Sequence, residues 1–172
     1  MIVKSRLILF KLIFFIIIDL LESQVDIIGD QFFTFNYESD SVSLPIFSNV
    51  ELNENNIGLE KAIIVMHGQN RNADDYFNSI NSITSSLGIQ NETLIIAPQF
   101  LLLEDIDSWD LGAAIPYWQN NTGWTTGNQS LSTLQHPRDF QLSSFTIIDS
   151  LLLFIHSEFT NIEKIILVGN SA

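Results

Sequence analysis

The sequence predicts an α/β domain, a three-layer sandwich around a mostly parallel sheet. Three continuous apolar runs support this prediction, because strands covered by helices on both faces are apolar along their whole length. Segments with helical periodicity separate the runs, and such a strand–helix–strand order indicates right-handed βαβ crossovers. The three runs are Lys61–Met66, Thr93–Ala97 and Lys164–Val168.

An antiparallel hairpin is expected ahead of the first run. Residues 31–37 and 42–47 are rich in aromatic and β-branched side chains, and the polar residues 38–41 between them favour a turn. Pro45 has no backbone N–H for a ladder hydrogen bond, so it favours an edge position for the hairpin.

Two helices are expected between the runs. Asn72 is placed to cap the first, with Asp74 and Asp75 in its first turn, and Gly88 is placed to end it. Arg71 is assigned to local salt bridges at this cap rather than to catalysis. The second helix is expected to begin at Ser143 or Ser144, with its apolar side formed by Phe145, Ile148, Leu152, Ile155 and Phe159.

Residues 98–142 are predicted to form a long, irregular insertion loop. The segment holds Trp109, Trp118 and Trp124, the chain's three tryptophans, and this aromatic content argues against disorder. Two roles stay open for the loop. It lines a ligand pocket, or it fills a satellite core.

Composition excludes several classes of partner. The formal net charge of −13 argues against nucleic acid and anionic membrane surfaces. The sequence has no glycine-rich phosphate loop, no HExxH motif and no Cys/His cluster, so neither a metal nor an organic cofactor is expected.

The N-terminus resembles a secretory signal peptide over residues 1–23. Lys4 and Arg6 precede an apolar stretch that is short and is interrupted by Lys11, and cleavage is expected after Ser23. The alternative is a membrane anchor formed by residues 7–21. Three glycosylation sequons agree with secretion, at Asn91, Asn120 and Asn128.

Two strand ends carry the candidate chemistry, since ligands in α/β sheets bind beyond the carboxyl ends of the strands. His67 and Gly68 follow the first apolar run, and Gly169-Asn170-Ser171-Ala172 follows the third. Over roughly residues 30–172 these features resemble the amino-terminal half of an α/β-hydrolase of the secreted esterase or lipase type. The elbows of such enzymes read Gly-His-Ser-Ala-Gly. Asn170 departs from this pattern at a position that need not be catalytic.

The resemblance implies hydrolysis of a small-molecule ester, with an amide as second choice, through an acyl-serine intermediate. It makes Ser171 the nucleophile, on the elbow formed with Gly169 and Asn170. It also makes the backbone N–H groups of Ala172 and Gln69 the oxyanion donors, with His67 and Gly68 as the motif of the second donor's loop.

The triad acid and histidine normally follow the serine in this family, so residues 24–172 are expected to be a partial domain, truncated after the nucleophile strand and inactive alone. Two alternatives stay open. One is a catalytically dead secreted binding module, and the other is an unrelated α/β protein. His136 precedes Ser171 and is a poor triad candidate. Asp149 is expected on the helix surface, and His156 is expected either there or as a hydrogen-bonded core residue.

Overall fold

The fold is organised around a five-stranded mixed sheet with the order β1-β2-β4-β3-β7. The computed structural model describes residues 24–53 and 58–169, except for the side chain of Asn121. The strands are β1 (Gln31–Tyr37), β2 (Asp40–Ser48), β3 (Lys61–Met66), β4 (Thr93–Pro98), β5 (Leu101–Leu102), β6 (Tyr117–Trp118) and β7 (Lys164–Gly169). The α-helices are α1 (Ala73–Ser86), α2 (Leu103–Trp109), α3 (Asn121–Thr125) and α4 (Ser144–Glu158).

The prediction of a mostly parallel sheet is wrong, because the sheet is mixed. The three apolar runs form its parallel part, since β3 pairs in parallel with both β4 and β7. The leading hairpin joins the same sheet, and β2 pairs antiparallel with both β1 and β4. The hairpin therefore contributes two antiparallel pairings beside the two parallel ones.

The hairpin lies at one edge of the sheet, as expected, but Pro45 is on the inner of its two strands rather than on the edge strand. β1 is the outer strand, and β2 lies between β1 and β4. The ladder with β4 begins only at Ile46, opposite Pro98. The carbonyl of Pro45 accepts a hydrogen bond from the Gln99 backbone N–H at 2.9 Å, so the missing N–H faces the region just beyond the ladder.

Helices pack on both faces of the sheet, and the alternation of strand side chains shows which helix covers which face. Val65, Phe47 and Ala97 pack with Ala73 of α1. Their neighbours along the strands point to the opposite face and pack with α4. This larger core contains Ile46, Ile64, Ile96, Ile147, Leu151 and Ile155, among others.

The buried side of α4 differs from the prediction. Ser144, Ile147, Leu151 and Ile155 are its buried residues, whereas Phe145 is 58% exposed. The helix carries apolar residues around most of its circumference, so periodicity alone does not fix the face that packs. Its start is as expected, because Oγ of Ser143 accepts a hydrogen bond from the backbone N–H of Phe145.

Residues 98–142 contain short regular elements, in contrast to the irregular loop that was expected. β5 and β6 pair in parallel as a second small sheet. Beside them lies a satellite core of Val25, Leu101, Ile106, Ile115 and Tyr117. Trp118 and Trp124 instead join the main core.

Within residues 24–53 and 58–169, no helix combines the length and the apolar character needed to cross a membrane. The predicted signal peptide, residues 1–23, lies outside the described residues.

Candidate functional site at the carboxyl edge of the sheet

The register between β3 and β7 brings the two candidate motifs to the same edge. Met66, the last residue of β3, pairs with Gly169, the last residue of β7. A Cβ on Gly169 would lie 3.7 Å from Cβ of Met66. The β3–α1 loop, residues 67–72, therefore begins beside the end of β7. Asn170, Ser171 and Ala172 lie outside the described residues, so the nucleophile, the rest of its elbow and one oxyanion donor stay predictions.

The ring of His67 is buried and both of its nitrogens are engaged. Nε2 accepts a hydrogen bond of 2.9 Å from the backbone N–H of Phe100. That donor has no lone pair to offer, so Nε2 carries no proton and the neutral ring is protonated at Nδ1. Nδ1 then donates to the carbonyl of Gly68 at 2.8 Å. The ring also packs against Trp124, with centroids 4.6 Å apart.

Burial lowers the pKa of His67 to about 4, with a further contribution from the nearby Arg71 guanidinium. The hydrogen bond to the Gly68 carbonyl opposes this shift and is too weak to reverse it. His67 is thus a neutral structural ring at pH 7 that joins the β3–α1 loop to the segment after β4.

The loop leaves backbone donors available beside the edge, and the N–H of Gln69 is one of them. The carbonyl of Gly68 accepts from the backbone N–H of Arg71 at 3.1 Å, which closes a tight turn around Gln69. Among the described residues, nothing accepts a hydrogen bond from the Gln69 N–H, and the Gln69 side chain is exposed. Gly68 is buried, and a Cβ there would lie 3.3 Å from the Tyr76 hydroxyl.

Arg71 forms a long-range ion pair, and this corrects its assignment to local salt bridges. Its Nε donates to Asp105 Oδ2 at 2.8 Å and its Nη2 donates to Asp105 Oδ1 at 3.3 Å. Both side chains are buried. Asn72 occupies the cap position of α1, but its amide donates to Asp75 at 2.7 Å and accepts no capping hydrogen bond. Gly88, at φ +71°, follows the end of α1 as predicted.

Asp105 and Gln99 are the residues of this region that the sequence analysis missed. Asp105 is fully buried at the third position of α2, and Gln99 is fully buried directly after β4. A signal for Gln99 existed, since a polar residue between Pro98 and Phe100 at the carboxyl end of a buried strand lies where sites form. Asp105 belongs to a cluster of acidic residues, and the other members of this cluster are not buried. Nothing in the sequence distinguishes the buried Asp105 from these neighbours.

An open cavity of about 470 Å³ adjoins the loop on the α4 face of the sheet. This volume falls within the usual range for small-ligand pockets. Its lining is mostly apolar. Trp124 is one of the lining residues, and its buried Nε1 has no hydrogen-bond partner among the described residues. The lining residues are Met66, His67, Phe100, Trp124, Thr125, Ser144, Phe145, Ile148, Asp149, Leu152 and Leu167.

The remaining candidates are dispersed. His136 Nε2 lies 2.6 Å from Asp107 Oδ1, a pair at the surface of the 98–142 segment. His156 and Asp149 are exposed on α4, as expected. The sequon residues Asn91, Asn120 and Asn128 are also exposed, and Oδ1 of Asn120 caps α3 by accepting from the Gly123 N–H at 3.1 Å.

In the part of the chain that the structure describes, no three His, Asp or Glu side chains come together as a metal site. No protein-family model, curated protein or solved structure matches this chain.

Proposed function

We propose that the carboxyl edge of this sheet is the oxyanion and nucleophile side of a serine hydrolase that cleaves small esters. The observation that supports the proposal is the pairing of Met66 with Gly169, because the β3–α1 loop follows Met66 and the predicted Ser171 elbow follows Gly169 in the sequence. An amide substrate is the second choice.

The proposed chemistry follows from the groups at this edge. The hydroxyl of Ser171 attacks the acyl carbon, and the carbonyl oxygen becomes an oxyanion in the tetrahedral intermediate. The N–H groups of Gln69 and Ala172 would stabilise this charge, and loss of one such donor costs about 10²–10³ in rate in enzymes where it was measured. The general base takes the hydroxyl proton and returns it to the leaving oxygen as the ester C–O bond breaks, so the alcohol leaves and an acyl-serine forms. Water, deprotonated by the same base, then attacks the acyl-serine, which releases the acid and restores the serine hydroxyl. No organic cofactor or metal enters this proposal.

The general base is not His67. Its Nε2 lone pair accepts the Phe100 N–H and its Nδ1 proton is donated to Gly68, so the ring has no free basic nitrogen. His136 pairs with Asp107 and His156 is exposed on α4. We therefore assign the base and its acid partner to residues that follow Ser171 in a longer form of the protein, and we expect the 172-residue chain to react very slowly.

A second candidate function is a secreted binding module without catalysis. The cavity of about 470 Å³ offers such a module an apolar binding surface.

Labelling with a fluorophosphonate probe tests the proposal. Ser171 should be labelled in a translation product that continues past Ala172, and Ser171→Ala should abolish the labelling. The 172-residue chain should label at least about 10³ times more slowly, because an unassisted serine hydroxyl is a weak nucleophile. Absence of labelling in a folded, longer product would favour the binding module. Strong labelling of the short chain would point to a base that precedes Ser171, with His136 the first to replace.

A further inference from the structure

The buried carboxylate of Asp105 joins three separate segments of the chain. It receives the side chain of Arg71 from the β3–α1 loop through two hydrogen bonds. It also accepts the backbone N–H of Val25 at 2.8 Å and that of Leu102 at 2.8 Å. Residues 24–29, here called the N-terminal strap, thus meet the β3–α1 loop at a single side chain.

Gln99 makes a second bridge between the same two segments. Its Nε2 donates to the carbonyl of Ile27 at 2.9 Å and to that of Arg71 at 3.1 Å. Its Oε1 accepts the backbone N–H of Gly29 at 3.0 Å. Each polar atom of the buried amide side chain therefore has a partner in the strap, the loop or both.

The loop conformation depends on these contacts. Arg71 has φ +58°, a left-handed conformation that is unfavourable for a residue with a long side chain. It persists because the buried guanidinium would otherwise lack its carboxylate, and breaking a buried ion pair is strongly unfavourable. The same Arg71 closes the turn over Gln69 through its backbone N–H.

We propose that Asp105 is a positioning residue of the β3–α1 loop and that, with Gln99, it sets the direction of the Gln69 N–H. The strap belongs to the same unit, so the order of residues 24–29 and the order of the loop are coupled. The catalytic meaning of this arrangement rests on the proposed function, whereas the coupling itself does not.

Amide hydrogen exchange in Asp105→Asn tests the coupling without any activity. The NH₂ group of the new asparagine side chain would face N–H donors that the carboxylate had accepted. The backbone N–H groups of Arg71 and Ala73 do not themselves bond to Asp105, and they should exchange about tenfold faster or more. The Val25 and Gly29 amides should accelerate with them, while those within β4 should not. Asp110→Asn is the matched control, since it makes the same change at an exposed residue at the end of α2. A folded Asp105→Asn protein with accelerated strap amides and unchanged Arg71 and Ala73 amides would overturn the proposal.

Asp105→Asn could lose protection from hydrogen exchange throughout the sheet. In that case Arg71→Lys tests the proposal, because lysine keeps the positive charge and removes only the bidentate contact with the carboxylate. Faster exchange confined to loop and strap would support the proposal, and unchanged loop amides would refute it. In a form that turns over esters, Asp105→Asn should lower kcat about tenfold or more with little change in KM. Coupled exchange in a protein that hydrolyses no ester would leave the positioning role intact and remove only the proposed function.

Discussion

The backbone N–H of Phe100 donates to Nε2 of His67 across 2.9 Å and thereby fixes the protonation state of a buried ring. Protonation of Nε2 would point the new ring N–H of His67 directly at the backbone N–H of Phe100. The ring would also have to carry its charge while it is almost fully buried. This contact lies where the β3–α1 loop and the segment after β4 meet, so it couples the ionisation of His67 to the local fold.

Acid should destabilise the protein through His67. The folded-state pKa, about 4, lies below the ordinary 6.5, so the unfolded chain takes up the proton first. The stability that the neutral ring contributes is fully present above pH 6.5 and is lost as pH falls toward 4. The difference between the two pKa values corresponds to a loss of about 3 kcal/mol in the free energy of unfolding.

Urea unfolding of the wild type and of His67→Gln at about pH 7.5 and about pH 4.5, on either side of the ordinary histidine pKa, measures this effect. The glutamine side chain can still accept the Phe100 N–H but does not titrate, so the stability of this variant should fall less between the two pH values. His156→Gln makes the same change at an exposed position and should follow the wild type. Equal losses in wild type and His67→Gln would contradict the assignment.

Gly29 should tolerate no side chain. A Cβ there would lie 2.5 Å from the carbonyl oxygen and 2.6 Å from the nitrogen of Ile46, and these are backbone atoms of a central strand. Gly29→Ala should cost about 2–3 kcal/mol in free energy of unfolding, at the upper end of overpacking effects. Gly112→Ala is the control, because nothing lies within 4 Å of its added Cβ, and it should change stability by less than about 0.5 kcal/mol. Denaturant melts of both variants provide the comparison.

The sequence predicted the parallel part of the sheet because its strands are apolar without interruption. Lys61–Met66 and Lys164–Gly169 are β3 and β7, and both lie within one residue of the predicted bounds. The antiparallel attachment of β2 to β4 was not predictable in this way. It depends on long-range pairing of Ile46–Ser48, and no local pattern specifies the partner of a strand.

The location of the candidate site in the fold was predictable from the sequence, but the contacts within the site were not. The position of His67 and Gly68 after β3 follows from chain order, and ends of adjacent parallel strands must meet. The partner of Arg71 lies 34 residues away, in a segment without clear periodicity. Asp74 and Asp75 were nearer in sequence and equally charged, so sequence distance pointed to the wrong carboxylates.

β7 should make the 172-residue chain prone to self-association. Leu167 is 55% exposed and Val168 is 37% exposed, and in the described residues β7 pairs only with β3. An apolar strand with an open edge favours edge-to-edge pairing. Leu167→Lys should reduce concentration-dependent light scattering, while Lys164→Leu should increase it. A wild-type chain that stays monomeric at high concentration would contradict this expectation.

Expression in a glycosylating host should yield a secreted product that begins at Gln24 and carries N-glycans. The three sequon asparagines are exposed, and glycan addition extends from Nδ2, which leaves the capping Oδ1 of Asn120 in place. Asn91→Gln and Asn128→Gln, with Thr122→Val for the Asn120 sequon, should each remove one mobility step on a gel. N-terminal sequencing checks the cleavage site. An intact, membrane-bound Met1 would favour the anchor formed by residues 7–21.

Removal of the Gln69 N–H should separate the oxyanion role of this residue from any role of its side chain. Gln69→Pro deletes the donor, and the angle φ at this position is not positive, which is a necessary condition for proline. Gln69→Ala keeps the donor and removes only an exposed side chain. In the form of the protein in which Ser171 reacts, Gln69→Pro should lower kcat for ester hydrolysis by about 10²–10³, whereas Gln69→Ala should stay near the wild type.

Matching circular dichroism spectra would establish that both variants fold. Equal activity of a folded Gln69→Pro protein would move the second oxyanion donor to another residue of the loop, with Asn70 next in line because no described residue accepts a hydrogen bond from its backbone N–H either.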